Sequence, residues 1–224
     1  MDSDSPTGYP SSMKTPAEPP RDCPLCPRLA AFRHENQEKF PDYWNAPVPS
    51  FGPLDAAILI AGLAPGLHGA NATSRPFTGD WAGDLLFSTL LKTGLATGKY
   101  EERANDTLKL VNIRIANSVR CVPPQNKPEP SEIHTCRRFL ISELETLPKV
   151  KVILALGKIA HDSVLKTLGA RIAGHPFTHG RVYELGKFKL ISSYHCSRYN
   201  TNTGVLTTEM FEKVVKDAKK LAGL

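Results

Sequence analysis

The stretch Ala57-Ile58-Leu59-Ile60-Ala61, running directly into Gly62-Leu63-Ala64-Pro65-Gly66, decides how the chain is read. An unbroken apolar run that short, ending in turn residues, is a strand buried on both faces. The glycines that follow let the backbone come close to a ligand, because no Cβ stands in the way. Ten residues separate Gly66 from Phe77. A second strand-like run, Phe188 to Ser192, leads in the same manner into Tyr194-His195-Cys196-Ser197-Arg198-Tyr199-Asn200. Two polar loops leaving the same edge of a parallel sheet converge on one cleft, the usual ligand position in an open α/β fold.

Outward from these segments the pattern is strand then helix, repeated. Leu110 to Ile115 and Lys151 to Leu156 are the other two strand candidates. Helical spacing covers Pro27 to Lys39 and Trp81 to Leu95, where Leu85, Leu86, Leu90 and Leu91 share a stripe. Ser131 fits the N-cap of a helix carrying Ile133, Phe139, Leu140 and Leu144. Gly157 opens another through Leu168, and Thr207 or Thr208 caps a last one ending near Leu221. Alternation of this kind implies an α/β fold whose mainly parallel sheet is covered on both faces. Gly157-Lys158 at a strand-to-helix junction lacks the upstream glycine and the following Ser or Thr of a phosphate-binding loop, so a nucleoside triphosphatase is not expected. Lys158 is left as either a phosphate contact or an ordinary surface lysine.

A chain of 224 residues supports one full core, so residues 21–224 are expected to form a single domain behind a Pro-rich tail, 1–20, expected to be disordered. The net charge of +6 favours an anionic partner without defining one. No run approaches the roughly 18 apolar residues of a membrane span, and the N-terminus offers no signal-peptide core. A soluble protein in a reducing compartment follows as the expectation, which argues against a disulfide framework for the five cysteines.

Cys23 and Cys26 form C-x2-C, and Cys121 and Cys136 form a wider pair with fourteen residues between them. Four thiolates close one tetrahedral site, so a metal centre is the leading reading; four inert buried cysteines are the alternative. Zinc and an iron-sulfur cluster both accept this ligand set. The spread of the second pair from a strand end into a helix suits the larger volume of a cubane. Cys196 is left over as a pocket or packing residue.

Taken together, these segments resemble the uracil-DNA glycosylase superfamily, and within it the iron-sulfur branch and its fifth, B-type family. The resemblance rests on Gly62 to Gly66 with Phe77, on His68-Gly69-Ala70-Asn71 and on Arg75-Pro76-Phe77-Thr78-Gly79-Asp80. It rests equally on Val119-Arg120-Cys121, Pro123-Pro124, Asn126-Lys127-Pro128, Tyr194-His195 through Asn200, and Thr203-Gly204. It covers nearly everything from Cys23 to Leu224. The family implies a three-layer αβα sandwich with a four-stranded, mainly parallel sheet and a 4Fe-4S cluster, with zinc as the alternative, on Cys23, Cys26, Cys121 and Cys136. It also implies a monofunctional hydrolase of base excision repair, removing uracil and related deaminated bases such as hypoxanthine from DNA. A monomer in the cytoplasm of a bacterium or archaeon is expected. The reading held against it is a noncatalytic, metal-stabilised module that binds damaged DNA.

The chemistry assigns parts. Breaking the bond between base and deoxyribose places positive charge on the sugar and negative charge on the departing pyrimidine, and the nucleotide must first be flipped from the duplex. Phe77 suits stacking on the extruded ring, or is a core residue. His195 donates to the uracil O2 while neutral. Asn117 matches a family position that reads the pyrimidine edge, or is a strand-end turn residue. Ala64 stands where other branches carry a water-activating polar group, and the B-type pattern puts Asp80 in that role, beside or instead of a helix N-cap. Asn126 is a further candidate to hold water or a phosphate. Gly62, Ala64, Pro65, Gly66, His68 and Asn71 shape the pocket. Ser197, Arg198, Tyr199 and Asn200 reach the DNA, with Arg75, Lys92 and Lys127 as added phosphate contacts. His175 and His179 are read as structural.

Overall fold

A computed structural model describes residues 15–224. After α1 (Pro27–Lys39), the segment that decided the fold forms β1 (Ile58–Gly62), buried along its whole length. It pairs in parallel with β4 (Ile113–Asn117) on one side and β5 (Val152–Leu156) on the other. β5 pairs in parallel with β7 (Phe188–Ser193), which carries the antiparallel edge strand β6 (Val182–Leu185). The five-stranded sheet has the order β4-β1-β5-β7-β6 and is mixed but mainly parallel. A separate two-stranded ribbon joins β2 (Ala96–Thr97) to β3 (Lys109–Leu110).

Helices flank the sheet, and the side-chain period of 2 along β1 divides the core between its faces. Ile58 and Ile60 pack with Leu86, Phe87 and Leu90 of α3 (Trp81–Lys92) and with Phe211, Val214 and Val215 of α7 (Thr208–Ala222). Leu59 and Ala61 pack with Leu140 and Leu144 of α4 (Pro130–Thr146) and with Val164 and Leu165 of α5 (Lys158–Thr167). The short α2 (Ala70–Thr73) and α6 (Arg198–Asn202) belong to the two loops singled out in the sequence. No helix among the described residues is long and apolar enough to cross a membrane.

Several expectations need correction. The sheet has five strands and not four, because Val182–Leu185 adds an antiparallel edge through a tight turn at Gly186-Lys187, Gly186 adopting φ +61°. The strand expected over Leu110 to Ile115 is broken at Asn112, whose left-handed φ of 60° ends the ribbon before β4 begins at Ile113. Helix α4 starts at Pro130, one residue before the expected cap. Proline at the first helical position sacrifices no hydrogen bond, and the Glu132 carboxylate accepts from the Glu129 N–H at 2.7 Å. Thr207 does cap α7, accepting from the Met210 N–H. Of the tail, residues 1–14 lie outside those described. Within residues 15–20, Glu18 pairs with Arg120 at 2.9 Å.

Candidate active site

The strand ends deliver the site. Parallel register places Gly62 opposite Asn117 and Leu156 opposite Ser193, so β1, β4, β5 and β7 all finish at one edge. Gly62 is required there by its neighbours. A Cβ at that position would stand 2.3 Å from Asn117 Oδ1 and 2.8 Å from the Phe77 ring, closer than nonbonded atoms allow. Phe77 itself adopts φ 54°, an uncommon conformation for a bulky residue. Gly83 helps fix it, since a Cβ there would lie 1.9 Å from the Phe77 carbonyl oxygen. The Phe77 and His195 rings then stack, centroids 6.1 Å apart with 30° between their planes. Both line a cavity of about 500 Å³.

Asp80 closes another wall. It is the N-cap of α3, its Oδ1 accepting from the Gly83 N–H at 3.2 Å. Its Oδ2 faces Gly69, where a Cβ would come within 2.5 Å of it. Capping and cavity lining therefore coexist in one carboxylate, as each oxygen does a different job. Burial raises the Asp80 pKa, opposed by the Gly83 hydrogen bond and by His195. Burial lowers the pKa of His195, opposed by Asp80. The imidazole is accordingly neutral at neutral pH, a hydrogen-bond donor without a charge. At the cavity floor Asn117 is buried, and its Oδ1 has no hydrogen-bond partner. A buried acceptor left unpaired costs about 1–3 kcal/mol, and this one packs against Gly62.

The other sequence candidates divide. Ala64, Pro65, Gly66, His68 and Asn126 line the cavity, as do Ser197 and Arg198. Asn126 lies exposed in a 3-10 turn, both it and Gln125 at φ 56°. Gly62 sits behind the wall that it lets Asn117 and Phe77 form. Asn71 does not line the cavity; its amide donates to Asn45 Oδ1 at 2.9 Å and ties α2 to the preceding loop. Asn200 turns inward, donating from Nδ2 to the His195 carbonyl at 2.9 Å and bracing the loop that carries the imidazole. Tyr199 is 74% exposed and stands outside the cavity. Three basic candidates are engaged elsewhere: Arg75 is buried against Asp106, Lys92 pairs with Glu212, and Lys158 pairs with Asp162. The sequence reading missed Trp81, which lines the cavity beside Asp80 and escaped notice as the first residue of a helix.

A family model described as the uracil DNA glycosylase superfamily matches residues 49–219. The chain belongs to this superfamily. It is 49% identical over 208 residues to the type-5 uracil-DNA glycosylase of Thermus thermophilus, covering 90% of this chain and 94% of that protein. It is 42% identical over 211 residues to the type-5 enzyme of Mycobacterium tuberculosis, covering 90% and 79%. To the type-4 uracil-DNA glycosylase of Pyrobaculum aerophilum it is 30% identical over 169 residues, covering 74% and 78%.

In this superfamily member the cysteines gather at a second place. Cys23, Cys26, Cys121 and Cys136 line one small cavity behind Val119 and Phe139. Among the described residues no three His, Cys, Asp or Glu side chains are placed to hold a single metal ion. Burial raises the pKa of Cys26, that of Cys121 to about 11 and that of Cys136 to about 12. Left to themselves these thiols stay protonated. Yet donors are aimed at the sulfurs: the Arg120 N–H at Cys136 Sγ, 3.3 Å, and the buried Arg33 guanidinium at Cys121 Sγ, 3.8 Å. Cys196, by contrast, is fully buried among apolar side chains of the α3 and α7 face.

Proposed function

We propose that the chain is a monofunctional glycosylase that flips uracil out of DNA and hydrolyses its N-glycosidic bond, leaving an abasic site and starting base excision repair. The observation that carries this reading is one cavity at the strand ends whose lining brings together the stacked Phe77 and His195 rings, Asp80 and Asn117. The Asn117 side-chain amide reads the pyrimidine edge, donating to O4 and accepting from N3–H; cytosine presents the wrong groups at both positions. Phe77 stacks on the base. Neutral His195 donates to O2 as negative charge develops there. Asp80, its pKa raised by burial, orients water or stabilises the cationic sugar.

Around this centre Asn126 holds water or phosphate at the rim, and Ser197, Arg198, Tyr199 and Asn200 form the arm that meets the duplex. Related deaminated bases, hypoxanthine among them, are further substrates. Residues 21–224 act as one uracil-DNA-glycosylase-like domain, a three-layer αβα sandwich, in a cytoplasmic monomer. The four clustered cysteines fit a 4Fe-4S group. They line a shared cavity, and Arg33 offers positive charge to an anionic centre. Such a group would cross-link the N-terminal segment to α4 and the loop after β4. With thiolates on all four sites it offers no open position to substrate.

Incubation of the protein with uracil-containing duplex followed by alkali should break the strand at uracil. Binding of that duplex with no free uracil released would replace this reading with a noncatalytic damage-binding module.

A further inference from the structure

The arm from Ser197 to Asn202 has a weakness that its surroundings make good. Helix α6 is only five residues long and buries none of them, so apolar packing cannot hold it in place. Two groups from outside it fix its position. On the inner side Asn200 is bonded to the His195 carbonyl. On the outer side stands Trp81, 47% exposed, an unusual placement for a large aromatic residue that also lines the cavity. Its indole N–H donates to Thr201 Oγ1 at 2.9 Å, and its ring lies under the Arg198 guanidinium, 5.6 Å from the centroid. Thr201 in turn donates through the same oxygen to the Arg198 carbonyl at 3.1 Å. Trp81 therefore touches the arm at two points a turn apart. Because it follows Asp80 at the start of α3, one rigid helix end carries both the cavity carboxylate and the clasp.

We infer that Trp81 is a positioning residue for duplex substrate, clasping the α6 arm at a fixed distance from the base cavity through Thr201 and Arg198. The inference rests on the proposed glycosylase function and deepens it by naming the form of DNA that needs the clasp. In a duplex, extrusion leaves a gap in the stack and costs a few kcal/mol, so a firmly held arm that enters the gap favours the flipped state. A single strand has no such gap to fill. Loss of the clasp therefore weakens action on duplex uracil more than on single-stranded uracil.

The test compares base release from one oligonucleotide, single-stranded and annealed to its complement. Losing a neutral hydrogen bond and an exposed cation–π contact should lower duplex kcat/KM by about tenfold for Trp81→Ala, and the single-strand value by no more than about threefold. Trp81→Phe keeps a ring for Arg198 but removes the N–H, and should recover part of the loss. Thr201→Val removes the acceptor and also the hydroxyl's own bond to the Arg198 carbonyl, so it should cost at least as much as Trp81→Phe, with the double variant no worse than Thr201→Val alone. Equal losses on both DNA forms, or additive effects of Trp81→Phe and Thr201→Val, would overturn the clasp. Failure of the unaltered protein to release uracil from either form would instead remove the glycosylase reading itself.

Discussion

Asp80 and Asp106 are both carboxylates shielded by the fold, and the fold treats them in opposite ways. Asp106 is gripped by two parallel bonds from Arg75, each 2.7 Å, and accepts from the backbone N–H groups of Glu101 and Leu108. These contacts hold its pKa down to about 2. Asp80 is met only by backbone N–H groups of its own helix start and faces a cavity, and burial wins: its pKa rises. The same contrast separates whole regions. Glu143 is enclosed with Arg114 and Arg120, which also reach Glu18, so buried charge there is matched by buried charge. Around the cavity Asp80, His195 and Asn117 are left partly unsatisfied. Full pairing builds structure, and withheld pairing leaves groups able to act on something else.

The widest separation of the two regions should come from Asp80→Asn. The amide keeps an N-cap acceptor but cannot carry charge, so single-turnover base release should fall by roughly a hundred- to ten-thousandfold. The thermal midpoint should hold or rise, because an ionised carboxylate with a raised pKa opposes folding at neutral pH. A variant of wild-type activity would end the assignment of Asp80.

Glu143→Ala should do the reverse. It strands Arg114 and Arg120 without their buried partner, a loss of about 3–5 kcal/mol in unfolding free energy. Protein that remains folded should release base at close to the wild-type single-turnover rate. If catalysis fell as far as stability did, the two regions would not be separable.

Acid should expose the contrast without mutation. Because the Asp80 pKa lies above the ordinary 3.8, proton uptake there begins at higher pH than for a free aspartate, and activity declines as pH falls through that raised value. The Asp106 pair contributes stability that is complete above the unfolded pKa of 3.8 and is lost only as pH falls toward about 2. A pH range in which the protein is folded yet inactive follows. Circular dichroism and base release measured over the same pH series should diverge there, and Asp80→Asn should show no acid limb. Coincident curves would mean that unfolding, and not Asp80, ends activity.

How much of this was readable in advance follows the same division. β1 and the helix Pro27–Lys39 were legible because their residues answer to one local rule each, an unbroken apolar run and a helical pattern after proline. The break at Asn112 was overlooked, although asparagine within Leu-Val-Asn-Ile-Arg-Ile, a residue that tolerates the left-handed region, was the one local mark of it. β6 escaped because only Tyr183 of its four residues is fully buried, so its pattern resembles a loop. In the site, Phe77, Asp80 and His195 share the cavity that the motifs suggested. Asn71 does not, because its partner is Asn45, twenty-six residues earlier and inconspicuous in the sequence. Trp81 could have been found from a bulky aromatic directly after the motif aspartate, though its partner Thr201 lies beyond any local pattern.

Cys196 offers the finest test, because it adjoins His195 in the chain and belongs to neither region. It is fully buried in the apolar face of the sheet, and burial pushes its thiol up to about 12. A thiol so placed is neither a nucleophile nor a ligand but a small apolar group packed beneath the loop. Cys196→Ala should cost only about 1–2 kcal/mol of stability, the scale for removing one buried atom without full collapse around it. Base release should change by less than the change caused by any cavity residue. Native protein should resist an alkylating reagent at this position and react once unfolded. Rapid labelling of Cys196 in folded protein would show that the loop carrying His195 opens readily, and the stacking of Phe77 on His195 would then be one state among several rather than the fixed wall on which the pocket depends.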